Sequence, residues 1–258
     1  MPHTTESGVR IYYETDGRGT VDGTETVVFL GDFGLGPWQW AWQAGALAGP
    51  FRTVVPTTRG AGRSDAPPGP YEIDDLVADV EAVLSAVGAD SAHVVGAGLG
   101  GHVAIHAARR LGRVDRLVLL GTAASPSAYD PGALAADPND PDAVRESLTA
   151  GLTEEFRTAR SETVDRIVDW RTAEDAPPAV WEAQADAVTD ATDWLYEVTD
   201  ETLVVHGADD AVVPAAAGER LADDLPRGEF HAVPDAGHLV GVEAARPVND
   251  RLHAFLGE

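Results

Sequence analysis

Residues 91–108 read Ser91-Ala92-His93-Val94-Val95-Gly96-Ala97-Gly98-Leu99-Gly100-Gly101-His102-Val103-Ala104-Ile105-His106-Ala107-Ala108. The apolar run His93 to Val95 predicts a short strand. The glycines from 96 to 101 predict a sharp turn, and the apolar spacing at Val103, Ala104, Ala107 and Ala108 predicts a helix. Strand, tight glycine turn and helix form the setting of a nucleophile elbow, G-x-S-x-G, in which strand and helix approach too closely for bulky flanking side chains. Here the motif reads G-A-G-L-G, so Gly98 stands where a serine would be the nucleophile. Glycine has no side chain to attack with, and the usual chemistry of the motif is withdrawn.

The same stretch fits a second pattern. Gly96, Gly98 and Gly101 match G-x-G-x-x-G after a strand, a dinucleotide fingerprint. That fingerprint expects an acid about 20 residues on, at the end of the next strand. The nearest acid, Asp115, precedes the strand Arg116 to Leu120 instead, which disfavours the reading.

The 258 residues suffice for one large core with a subdomain. There are 43 acidic residues against 18 basic ones, a net charge of −25, and every basic residue is arginine. Asp and Glu are spread along the whole length, so no acidic tail accounts for the charge. This composition resembles that of proteins from salt-loving archaea. Carboxylates at this density repel one another at low salt and are screened at high salt, so stability is expected to fail below about one molar salt. The charge argues against nucleic-acid partners. Without cysteine there is neither a disulfide nor thiol chemistry. MPHTTESGVR lacks the apolar core of a signal peptide and no apolar run reaches membrane-spanning length, so a soluble cytoplasmic protein is expected.

In chain order, Val9–Glu14 alternates as a strand before a turn at Asp16-Gly17-Arg18-Gly19. Thr26–Leu30 is continuously apolar, hence a strand buried on both faces. The glycine-rich loop Gly31–Pro37 leads to Trp38, Trp40 and Trp42, read as a helix start whose tryptophans anchor it or wall a pocket. Thr53–Val55 is another short strand. Tyr71–Val87 has helical periodicity ending at Gly88. Leu117–Leu120 is the next buried strand. Residues 123–198 change character: Pro126, Pro131, Pro138 and Pro141 break the first part, and helical patterns follow at 142–151, 153–170 and 178–190. Trp170, Trp181 and Trp194 fall in this segment. Strands return at Thr202–His206 and Glu229–Val233, with helices near 215–224 and 241–256. Alternation of strands and helices predicts a mostly parallel α/β sheet of about eight strands flanked by helices. Residues 1–122 and 199–258 form the core, and 123–198 a helical cap.

Four motifs carry a resemblance over the whole chain: RGAGRSDAPPGPY (59–71), VVGAGLGG (94–101), HGADDAVVP (206–214) and DAGHLVGVE (235–243). In this order they resemble the α/β-hydrolase superfamily, in its branch of small capped esterases, lactonases and haloperoxidase-like proteins. The resemblance implies an α/β-hydrolase fold, a triad acid at Asp210 rather than its neighbour Asp209, and a base at His238. It implies an oxyanion hole from the backbone N–H groups of Phe33 and Leu99. The family has His-Gly before the oxyanion residue, whereas this chain has Gly31-Asp32. Either the Asp32 carboxylate enters a site meant for negative charge and opposes it, or it points away and caps a nearby backbone group. An acid accepting from an imidazole N–H fixes the tautomer and raises basicity, so His238 and Asp210 remain a dyad. His93, His102, His106 and His206 read as structural, with His102 near enough to the elbow to line a pocket. His102 and His106 have ligand spacing but no partner carboxylate, so neither a metal nor any other cofactor is expected.

Three functions follow. The first is a hydrolase of the ester or lactone class, or another base-catalysed enzyme, working through the dyad without a serine. The second is a non-catalytic protein of the same fold that binds a small molecule. The third is an esterase whose serine was replaced at position 98. In each the partner is a small, partly apolar molecule.

Overall fold

The computed structural model describes residues 2–17 and 23–257. Arg18 and Gly19 of the expected turn lie outside them. The chain runs β1 (His3–Glu6), β2 (Val9–Asp16), β3 (Thr26–Leu30), α1 (Ala44–Leu47), β4 (Arg52–Pro56), α2 (Ile73–Val87), β5 (Ala92–Ala97), α3 (Leu99–Leu111) and β6 (Val114–Leu120). An insertion with α4 (Pro141–Gly151), α5 (Glu154–Ala159), α6 (Ser161–Glu174) and α7 (Pro178–Ala185) follows. Then come β7 (Glu201–Gly207), α8 (Ala215–Asp224), β8 (Gly228–Val233), α9 (Val240–Glu243) and α10 (Ala245–Leu256). No described helix is long and apolar enough to cross a membrane.

One eight-stranded sheet has the order β1-β2-β4-β3-β5-β6-β7-β8. β1 and β2 pair antiparallel, as do β2 and β4, and every other pairing is parallel. The fold is therefore the expected one, with β1 added at the edge. β3 is buried throughout because it has apolar layers on both sides. Val28 and Leu30 join the core beneath α2 and α3, while Val27 and Phe29 join a second core with Trp40, Leu47 and α10. α2 begins where the Glu72 N–H donates to Asp75 Oδ2 (3.0 Å) and ends at Gly88, whose φ of 67° is the left-handed cap anticipated from the glycine.

Three helical readings differ in detail, and the pattern over 178–190 is helix only for Pro178–Ala185. The pattern over 153–170 is broken at Arg160 into α5 and α6, and the closing helix is broken at Ala244 into α9 and α10. Periodicity alone does not reveal such breaks, because the apolar stripe continues across a kink. Trp38 and Trp40 lie in a 3₁₀ turn, Pro37–Trp40, and both are buried.

The register positions the loops. Leu30 pairs with Gly96, Ala97 with Leu120, and Gly207 with Val233. The segments after β3, β5, β7 and β8 therefore emerge side by side at the carboxyl ends of parallel strands, where α/β sheets bind ligands.

Candidate active site

Gly98 links β5 to α3 with φ 46° and ψ −111°, a region hostile to any side chain. At Gly100, a Cβ would lie 2.1 Å from the Leu30 carbonyl oxygen, so only glycine lets α3 approach β3 this closely. The N–H of Leu99, freed at the helix start, points to the carboxylate of Asp32. Asp32 Oδ1 accepts from Leu99 N at 2.9 Å and from Phe33 N at 2.7 Å. Its own N–H donates to Gln39 Oε1 at 3.2 Å. The two backbone donors expected to hold an oxyanion thus hold a carboxylate oxygen of the chain itself.

The other carboxylate oxygen, Asp32 Oδ2, lies 2.8 Å from His238 Nε2, and His238 Nδ1 lies 2.8 Å from Asp210 Oδ2. Asp210 Oδ1 accepts from the N–H groups of Val212 (2.9 Å) and Val213 (2.8 Å), which fixes its orientation. Asp209 next door is exposed. Asp32, Asp210 and His238 are all buried. Asp32 therefore does not point away from the site, the alternative weighed from the sequence. It caps backbone donors, but those donors are the ones at the centre of the site.

This arrangement sets the proton inventory. Each imidazole nitrogen faces a carboxylate oxygen, and ionised carboxylates only accept, so both nitrogens carry a proton. Burial pulls the His238 pKa down, but Asp210 and Asp32 outweigh it and raise it to about 10. Burial pushes Asp210 up, yet His238 and the donors on Asp210 leave it below its ordinary value. The resting group at neutral pH is an imidazolium between two carboxylates. In that state His238 is an acid.

A cavity of about 20 Å³ adjoins the array, lined by Asp32, Gln39, Trp40, His238 and Leu239 among others. That is room for one water. The Trp40 indole N–H is buried with no acceptor among the described residues.

The sequence missed several residues that build this site. Glu243 accepts from Gly237 N (2.9 Å) and from the Thr153 hydroxyl, tying the histidine loop to the insertion. Leu239 N donates to the Gly151 carbonyl at 2.9 Å. Gln184 Oε1 accepts from Gly34 N at 2.6 Å, and its amide donates to the Arg59 carbonyl at 3.1 Å. Tyr129 packs edge-on against Phe33, with ring centres 5.7 Å apart. Only the position of Glu243 within the histidine motif offered a signal in the sequence. His102 and His106 face the insertion, where His102 Nε2 accepts from Thr189 N at 3.2 Å. The dinucleotide reading fails here. The helix N-terminus it needs is filled by Asp32, and Asp115 lies at the far end of β6, where it accepts from the Ser91 hydroxyl at 2.7 Å.

A family profile described as "alpha/beta hydrolase fold" matches residues 26–245. The chain is 31% identical to a 2-hydroxy-6-oxononadienedioate/2-hydroxy-6-oxononatrienedioate hydrolase of Paraburkholderia phymatum, over 97% of this chain and 92% of that one. It is 33% identical to a pimeloyl acyl-carrier-protein methyl ester esterase of Aromatoleum aromaticum, over 82% and 90%. The crystal structure of the enol-lactonase from Burkholderia xenovorans superposes with a TM-score of 0.88, at 25% identity and full coverage of both chains.

Proposed function

The chain belongs to the α/β-hydrolase fold family, and on that premise we propose that it hydrolyses small, partly apolar esters or lactones with water as the nucleophile. The observation carrying this reading is the convergence of Phe33 N–H and Leu99 N–H on one anionic oxygen, Asp32 Oδ1. A preformed pair of donors that holds a carboxylate oxygen also suits the oxyanion of a tetrahedral intermediate. A substrate carbonyl enters this cradle by displacing Asp32. His238 then loses one of its two anionic neighbours, its proton affinity falls, it releases its Nε2 proton to the medium, and it becomes a base held in orientation by Asp210. Water attacks the acyl carbon above Gly98 and gives its proton to His238 Nε2. The oxyanion rests on the two N–H groups, and the imidazolium returns the proton to the leaving alkoxide. With no serine, the acceleration expected from cradle and binding is about 10³- to 10⁴-fold over water.

The test is hydrolysis of p-nitrophenyl acetate in concentrated KCl. Activity is expected to vanish in His238→Ala and to rise several-fold in Asp32→Gly, where nothing competes for the cradle. If His238→Ala leaves the rate unchanged, or if both the native chain and Asp32→Gly are inert, the reading fails.

A second reading, a binding protein without catalysis, draws on the filled cradle and on the single-water size of the adjoining cavity. It requires that Asp32→Gly stay silent. An esterase merely stripped of its serine does not account for Asp32, because a Cβ at position 98 would lie 1.8 Å from Asp32 Oδ1.

A further inference from the structure

We propose that the seam between the core and the insertion holds a second binding site, which takes a small aromatic carboxylate. The site is separate from the array of Asp32, His238 and Asp210, and it stands or falls independently of the ester reading.

Two helix breaks build this site. The break at Arg160 separates α5 from α6 in the insertion, and the break at Ala244 separates α9 from α10 in the core. Both breaks border one cavity of about 340 Å³. Small-molecule sites typically have volumes of roughly 300–1,000 Å³. Trp42, Phe156 and Val242 give the cavity apolar walls, and Arg160 and Arg246 line it as well. Val242 is also in the wall of the small cavity beside His238, but neither Asp32 nor His238 lines the larger one.

Charge and ring surface together decide what fits. The chain has 43 carboxylates for 18 arginines, so its arginines have carboxylates in excess to pair with. Yet the guanidinium groups of Arg160 and Arg246 have no acceptor among the described residues. Both residues are exposed, so a ligand reaches them without any unfolding. Glu243 is the acid in the same wall, and it is already engaged: it accepts from Gly237 N at 2.9 Å and from the Thr153 hydroxyl. Two cations against one fixed anion favour an anionic occupant, and the planar guanidinium fork matches a carboxylate. α6 and α10 both start at this wall without a side-chain cap, which adds partial positive charge. In concentrated KCl, chloride competes for the bare arginines, and the Debye length is about 3 Å at one molar salt, so charge alone selects nothing. The aromatic wall supplies the selection. Trp42 is set at 79° to Trp170 with ring centres 5.8 Å apart, and its carbonyl accepts from Asn249 Nδ2 at 2.8 Å. A ring already fixed in this way loses little freedom on binding, and aromatic surfaces favour an aromatic partner.

The experiment titrates potassium benzoate into the native chain in concentrated KCl, followed by calorimetry, with the melting temperature read in parallel. Saturable binding of one benzoate is expected. The melting temperature should rise with benzoate, because the ligand joins Arg160 of the insertion to Arg246 of the core and needs the folded chain. Affinity should fall at least about tenfold in Arg160→Gln/Arg246→Gln, which loses two charge-assisted contacts, and benzyl alcohol should bind the native chain more weakly by a similar factor. Arg220→Gln, the same charge change on α8, should bind benzoate as the native chain does, and so should His238→Ala. The absence of saturable binding overturns the proposal, as does undiminished affinity in the double arginine variant. Benzyl alcohol binding as tightly as benzoate would overturn it too, as would loss of benzoate binding in a folded His238→Ala chain.

Discussion

Asp32 and Gly98 are one feature divided between two positions. The glycine removes the side chain that would occupy the turn, and the aspartate supplies a carboxylate to the space so vacated. Restoring serine alone should therefore not restore an esterase. Gly98→Ser places a side chain at positive φ and against Asp32 Oδ1, and overpacking with backbone strain costs about 1–3 kcal/mol. We expect a lower melting temperature and no gain in p-nitrophenyl acetate hydrolysis for the single variant. The double variant Asp32→Gly/Gly98→Ser should gain activity over both single variants. Each half of the feature was visible in the sequence as a departure from a motif. Their union was not, because only the register of β3 beside β5 brings them together.

At the scale of elements, the parallel strands and α2 were legible because burial on both faces and a capped amphipathic stripe leave periodic marks. How the insertion is fastened left no such mark. Asp175 Oδ1 accepts from Gly36 N (2.9 Å) and from the Trp38 indole N–H (2.7 Å), and Oδ2 pairs with Arg171 at 2.6 Å. Trp38 is thus a clasp between the loop after β3 and the insertion. Burial raises the Asp175 pKa, and Arg171 with the two donors pulls against that rise. Asp175→Ala would leave the buried Arg171 charge without its partner, a loss of about 3–5 kcal/mol. Denaturant unfolding should report that loss, and Arg171→Met/Asp175→Met together should recover much of it. An Asp175→Ala variant as stable as the native chain would show that the clasp contributes nothing.

For the whole molecule, charge and histidine placement set the conditions under which the fold holds. A net charge of −25 over 258 residues is expected to lower the melting temperature as KCl is withdrawn. A melting temperature independent of salt would contradict that expectation. Burial lowers His102 and His206 to about 4 and His106 to about 3. These rings stay neutral in the fold while the unfolded chain takes up protons below pH 6.5, so stability falls as pH drops through that window. His238 acts in the opposite sense. Its folded pKa of about 10 exceeds the ordinary 6.5, so its contribution is complete below pH 6.5 and is lost as pH rises to about 10. The proposed reaction begins from this imidazolium held between Asp32 and Asp210. The most direct test is a ¹⁵N NMR titration of the histidine rings in concentrated KCl. We expect His238 to show two protonated nitrogens at neutral pH, to titrate near pH 10, and to fall well below that in Asp32→Gly. A His238 ring that is neutral at pH 7, titrating at or below 6.5, would contradict the account.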